Sequence, residues 1–156
     1  MPNSKLQFLI DQGADKTRHS GRSLYNHLTG VYSKLKAWGC HPIVCDTGLY
    51  HSVYGTEYFK PKTLTLEDRP VVRELIGHEA EHLVYLFCTT LNRFPSFEAM
   101  DDPYRKMLMT VEYANLMEQH NTRGNYDWDD RSFHRYVEQN MIPESPRLDF
   151  YNGREL

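Results

Sequence analysis

The sequence predicts an all-α fold, a single compact domain of about six or seven helices spanning residues 1–156. Apolar residues recur three and four apart along successive stretches, and no segment alternates in the manner of a half-buried strand. Glycine, proline and hydroxyl side chains fall at the ends of those stretches, where helices start and stop.

Lys5 to Ala14 places Leu6, Phe8, Leu9 and Ile10 in a short amphipathic helix that Gly13 ends. A polar loop, Thr17 to Ser23, follows, with Gly21 free in its backbone and Ser23 as the cap of the next helix. That helix runs from Leu24 to Trp38, carries Leu24, His27, Leu28, Val31, Leu35 and Trp38 on one stripe, and stops at Gly39. Pro42 suits the first turn of a third helix, Ile43 to about Val53, with His51 near its end. Thr65 and Asp68 form a loose capping box for a helix ending at Gly77. His78 to about Leu91 is the next helix, with Ala80, Leu83, Val84, Phe87 and Leu91 on its core face. Asn92 to Asp102 reads as turns, Pro103 to about His120 as a helix, and Arg131 to Asn140 as another before a tail with Pro143 and Pro146.

The charge balance, 18 Lys+Arg against 21 Asp+Glu, disfavours a surface built for nucleic-acid phosphates, while a local basic pocket for a small anion stays open. A hydrophobic fraction of 40% with 25% charged residues is ordinary globular composition and excludes wholesale disorder. No apolar run approaches the roughly 18 residues that span a bilayer, and the amino terminus turns polar too early for a signal peptide. The expectation is a cytoplasmic protein without membrane attachment. Cys40, Cys45 and Cys88 lack zinc-type pairing and read as reduced core cysteines.

Three polar residues interrupt buried stripes, where an unpaired polar group costs a few kcal/mol: His27 in LYNHL, His51 in TGLYHSVYG and Asn115 in VEYANLM. Each reads either as a satisfied core residue or as a ligand, and their joint occurrence favours a shared site. Glu112, three residues before Asn115, shares its helical face. Asp46 lies about 140° off the face of His51 and is a poor substitute ligand. Among the tyrosines, Tyr25, Tyr50, Tyr54 and Tyr113 flank the three polar residues. His78 and His82 form an i,i+4 pair, but the intervening Glu79 and Glu81 suggest an exposed, charged face.

The run Arg18-His19-Ser20-Gly21-Arg22-Ser23-Leu24-Tyr25-Asn26-His27 resembles the opening of the hydrolase domain of the (p)ppGpp synthetase/hydrolase enzymes, within the HD-domain superfamily. Three stretches resemble later family segments in the same order: Asp46 to Thr56, Arg73 to Val84, and Val111 to Met117. The 24-residue spacing of His27 and His51 also matches the family, and the resemblance covers about residues 17–120, leaving 121–156 as a helical extension and tail.

The resemblance implies a metal held by a His, a His-Asp pair and a later Asp. His27 and His51 stand at the histidine positions, Ser52 replaces the first Asp and Asn115 the second. With both negative ligands gone, a divalent Mn, Fe or Zn ion is expected to bind weakly or not at all. The family's Glu-Asp pair is also missing, with Gly55-Thr56 in its place, so (p)ppGpp hydrolysis by the family mechanism is not expected. The resemblance further implies a ligand mouth at Arg18, His19 and Arg22, with Ser52 and Asn115 on the floor of the site. Tyr50, beside His51, is a further ligand-binding candidate, and His51 and Glu112, the latter by its spacing to Asn115, are the catalytic candidates. Three functions follow: binding of a small anionic or nucleotide-like ligand, metal-dependent hydrolysis or oxygen chemistry, or a non-catalytic interaction role.

Overall fold

The computed structural model describes residues 2–19, 21–56 and 63–123. The first helix, α1, spans Pro2–Asp11 and leads through a 3-10 turn, Ala14–Lys16, into a two-stranded antiparallel ribbon. In that ribbon β1 (Arg18–His19) pairs with β2 (Arg22–Ser23), setting Arg18 opposite Ser23 and His19 opposite Arg22. The stretch read as a loop thus carries a short backbone ladder, closed at Gly21 with its φ of 83°.

Ser23 then caps α2, Leu24–Ala37, its hydroxyl accepting from the Asn26 amide at 3.0 Å. Helix α3, Pro42–Leu49, has proline in its first turn but stops before Val53. Tight turns replace its expected last part, because Gly48, Ser52 and Val53 contribute little helix propensity. His51 therefore lies beyond the helix. The Thr65–Asp68 capping box forms over a 3-10 turn, Leu66–Asp68, that leads into α4, Arg69–Ile76. After Gly77 the chain enters α5, His78–Thr89.

The stretch Asn92 to Asp102 is not all turns: Arg93–Glu98 forms a short helix, α6. Pro95 sits in its first turn, where a missing N–H costs no helical bond, and packing fixes the rest, with Phe97 fully buried. The last described helix, α7, runs Tyr104–Arg123. Residues 124–156 lie outside the described residues, including the expected helix Arg131 to Asn140 and the tail with Pro143 and Pro146.

Among the described residues the protein is all-α, with seven α-helices and only the short ribbon as strand. Helix α2 packs on α3 and α7, α3 also touches α5 and α7, α4 lies on α5, and α6 on α7. Val31, Leu35, Val44, Phe87, Leu108 and Val111 belong to one apolar cluster. Leu9, Leu24, Leu28, Leu49, Val72 and Val84 belong to the other, toward α1 and α4. The three cysteines are free and buried, and burial pushes the Cys40 and Cys88 thiols up to about 12 and that of Cys45 up to about 11. Among the described residues no helix is long and apolar enough to cross a membrane.

Gly48 sets how closely α2 and α3 approach. A Cβ there would meet Leu35 Cδ1 at 2.3 Å and Val31 Cγ1 at 3.1 Å. Gly48→Ala is expected to destabilise by about 1 kcal/mol net, since overpacking outweighs the gain in helix propensity. Chemical denaturation would measure it, and a stabilised variant would show that the helices separate without cost.

Candidate polar site

The buried stripe of α2 contains Leu24, His27, Leu28, Val31 and Leu35, so the apolar pattern carries an imidazole into the interior. His27 is 1% exposed and meets α7. On α7, Glu112, Asn115 and Glu118 recur every third residue and share one face. His27 Nδ1 lies 2.6 Å from Glu118 Oε1 and its Nε2 lies 2.8 Å from Asn115 Oδ1. The Asn115 amide nitrogen donates to Glu112 Oε1 at 3.1 Å, which orients its oxygen toward His27, and that oxygen also accepts from Gln119 at 3.1 Å. His27 thus faces an acceptor at each nitrogen, and only the doubly protonated ring donates to both.

Two arginines complete the network. Arg93, at the start of α6, donates to Glu112 Oε1 at 2.8 Å, with the two side chains only 5% and 2% exposed. Its guanidinium also lies 4.5 Å from the Phe87 ring centroid. Burial pushes the Glu112 carboxyl above the usual carboxylate range, although Arg93 and Asn115 pull the other way. Arg22, from the ribbon, donates to Glu118 Oε2. Burial raises the Glu118 carboxyl as well, but His27 and Arg22 outweigh it and hold the group below its ordinary range. Gly30 of α2 makes room for this carboxylate, since a Cβ there would come within 2.7 Å of Glu118 Oε2.

His51 closes the apolar side. Its ring meets His27 edge-on at 5.2 Å and Phe87 edge-on at 5.2 Å, and its Nδ1 donates to the Gly48 carbonyl at 2.8 Å. Its own carbonyl accepts from Cys88 Sγ at 3.2 Å. The neighbouring Ser52 is 2% exposed, and its hydroxyl has no hydrogen-bond partner among the described residues.

The fold therefore gathers His27, His51, Glu112 and Asn115 and brings Arg22 to them through Glu118. Other candidates go elsewhere. Arg18 is exposed on the ribbon and donates to the Gly21 carbonyl at 3.0 Å. His19 pairs through its backbone with Arg22, and its side chain lies outside the described residues. Tyr50 donates to the Lys5 carbonyl at 2.9 Å and stacks near Phe8, so it serves the α1 contact and not this network. Asp46 pairs with Lys5 at 2.8 Å, consistent with its position off the His51 face.

The expected exposed face of α5 needs correction. His78 and Glu79 are exposed, but Glu81 is fully buried. It accepts from Arg69 at 2.6 and 3.0 Å, from Arg73 at 3.3 Å and from the Tyr54 hydroxyl at 2.8 Å. Burial raises its carboxyl, and these donors overcome that to hold it below the ordinary range. The reason is the turn of the helix: Glu81 falls next to Ala80 on the side facing α4, where the arginines project.

Sequence reasoning passed over Glu118, Arg93 and the burial of Glu81. Glu118 had a local signal, the three-residue recurrence with Glu112 and Asn115. Arg93 had none, because its pairing depends on how α6 lies against α7.

The divalent cation implied by the sequence resemblance does not fit this donor set. Both His27 nitrogens are engaged by side-chain oxygens, and Glu112 and Glu118 are engaged by arginines. Among the described residues no three or more His, Cys, Asp or Glu side chains are placed to hold a metal ion. What the arrangement does chemically is join α2, α6, α7 and the ribbon through charge-assisted hydrogen bonds.

No curated protein and no solved structure matches the chain. One family model does, over residues 8–93, which takes in His27, His51 and Arg93 but stops before the α7 carboxylates. The match covers more than half of the 156 residues, and the chain belongs to the DUF6817 family, described as a domain of unknown function.

Proposed function

We propose that this chain is a cytoplasmic, HD-like helical domain that binds a small anionic, nucleotide-like molecule at the mouth formed by its ribbon, without hydrolysing it by a two-carboxylate metal mechanism. The carrying observation is the engagement of both His27 nitrogens by Asn115 and Glu118, with Arg22 reaching Glu118 from the ribbon. A hydrogen-bonded network then stands where the family resemblance puts a metal. The HD-like reading is supported by the proximity of His27, His51 and Asn115, which come from three of the ordered stretches that carry the resemblance.

At the mouth, Arg22 and His27 share a single carboxylate, and the exposed Arg18 adds a second guanidinium on the same ribbon. Guanidinium groups bind phosphate in bidentate geometry and stack on flat bases. A thermal-shift titration with guanosine diphosphate and tetraphosphate tests the reading. A ligand at about 100 times its dissociation constant adds roughly 2.7 kcal/mol of stability, and the shift is expected to shrink in Arg18→Ala. No shift with either nucleotide, or an equal shift in Arg18→Ala, would remove the anion-binding role. Manganese-dependent nucleotide hydrolysis lost in His51→Ala would establish the metal enzyme in its place.

A further inference from the structure

Away from the polar network, a surface pocket of about 410 Å3 opens between α3, α5 and the start of α7. Buried Leu83 and Met107 and part-buried Ile43 supply its apolar lining. Exposed Pro103, Tyr104, His78 and Glu79 form its outer part. This volume is within the range that holds small molecules, and an apolar lining with a few convergent polar groups is the usual composition of such sites.

Two features specify the chemistry. The His82 and Tyr104 rings meet edge-on at 5.9 Å with 71° between their planes, which makes a corner of flat faces suited to an aromatic ring. Glu79 is the one carboxylate among the described lining residues, with no Lys or Arg beside it in the lining. The fixed charge presented to an occupant is therefore negative. We infer that this pocket binds a small aromatic amine, its ring against Tyr104, His82 and the apolar lining and its ammonium group on the Glu79 carboxylate. The inference is independent of the ribbon and of the His27 network, since the pocket shares no residue with either.

The probe is 2-phenylethylamine, followed by NMR titration of the full chain beside the isosteric neutral 2-phenylethanol and the anionic phenylacetate. The amine is expected to bind at about millimolar concentration and to shift the His82 and Tyr104 signals. Glu79→Gln should weaken it about fivefold while leaving 2-phenylethanol binding unchanged. Tyr104→Ala should weaken amine and alcohol alike. Glu79 and Tyr104 are exposed, so circular dichroism and melting temperature serve as fold controls for both variants. Absence of pocket shifts with the amine, equal amine affinity in Glu79→Gln, or tighter binding of phenylacetate would each overturn the inference.

Discussion

Replacing Arg93 with alanine is expected to lower the unfolding free energy by about 3–5 kcal/mol, because removing one partner of a buried ion pair leaves the other charge uncompensated. Arg93 and Glu112 are 5% and 2% exposed, so water reaches neither group readily. The loss should depend on pH with a definite sign. Burial already raises the Glu112 carboxyl above its ordinary 4.5, and removing the guanidinium raises it further. A group raised on folding contributes stability that is present below its unfolded value and lost as pH rises through the folded one. The Arg93→Ala deficit should accordingly be smallest near pH 4.5 and grow toward neutrality. Adding Glu112→Gln should recover about 1–2 kcal/mol at pH 7, since the amide oxygen still accepts from Asn115 and no buried charge remains. Urea denaturation of the single and double variants measures both effects. A double variant less stable than Arg93→Ala would mean that Glu112 is held by interactions other than its charge.

Glu118→Gln is the second large effect, expected at about 2–3 kcal/mol at neutral pH. The substitution keeps the size of the side chain but removes the charge that accepts from His27 and Arg22, and hydrogen bonds to charged groups contribute about 1.5–3 kcal/mol each. Its deficit likewise grows with pH, although the carboxyl concerned is shifted on folding in the opposite direction to that of Glu112. The Glu118 carboxyl is held below 4.5 in the fold, so its contribution is present above that value and disappears as pH falls through the lowered folded value. Wild type and variant should therefore differ most above about pH 5 and converge in acid. Glu81 is shifted in the same direction, so the variant should keep part of the acid sensitivity of the wild type. A deficit independent of pH would show that the variant acts through packing alone.

The two predictions rest on residues with unequal visibility in the sequence. Ser23, Pro42, Thr65 and Gly39 mark helix ends through local backbone chemistry, and the structure uses each as such. His27 and Asn115 stood out because each breaks an apolar stripe, and the fold joins them at 2.8 Å. Arg93 was hidden because a six-residue helix containing proline has no periodicity to read. Glu81 was misread because an acidic residue between two histidines looks like a solvated face until Arg69 and Arg73 are brought against it.

By itself the sequence determined the all-α class, most helix starts and stops, and the inward placement of His27, because those depend on periodicity and on groups a few residues apart. Only the tertiary structure decided what the buried polar groups are for. Glu118 lies 91 residues from His27 and Glu112 lies 19 from Arg93, and which charge meets which depends on how α2, α6 and α7 cross. A buried carboxylate is costly until its partner arrives, and that partner is set by packing between distant segments, on which local sequence is silent.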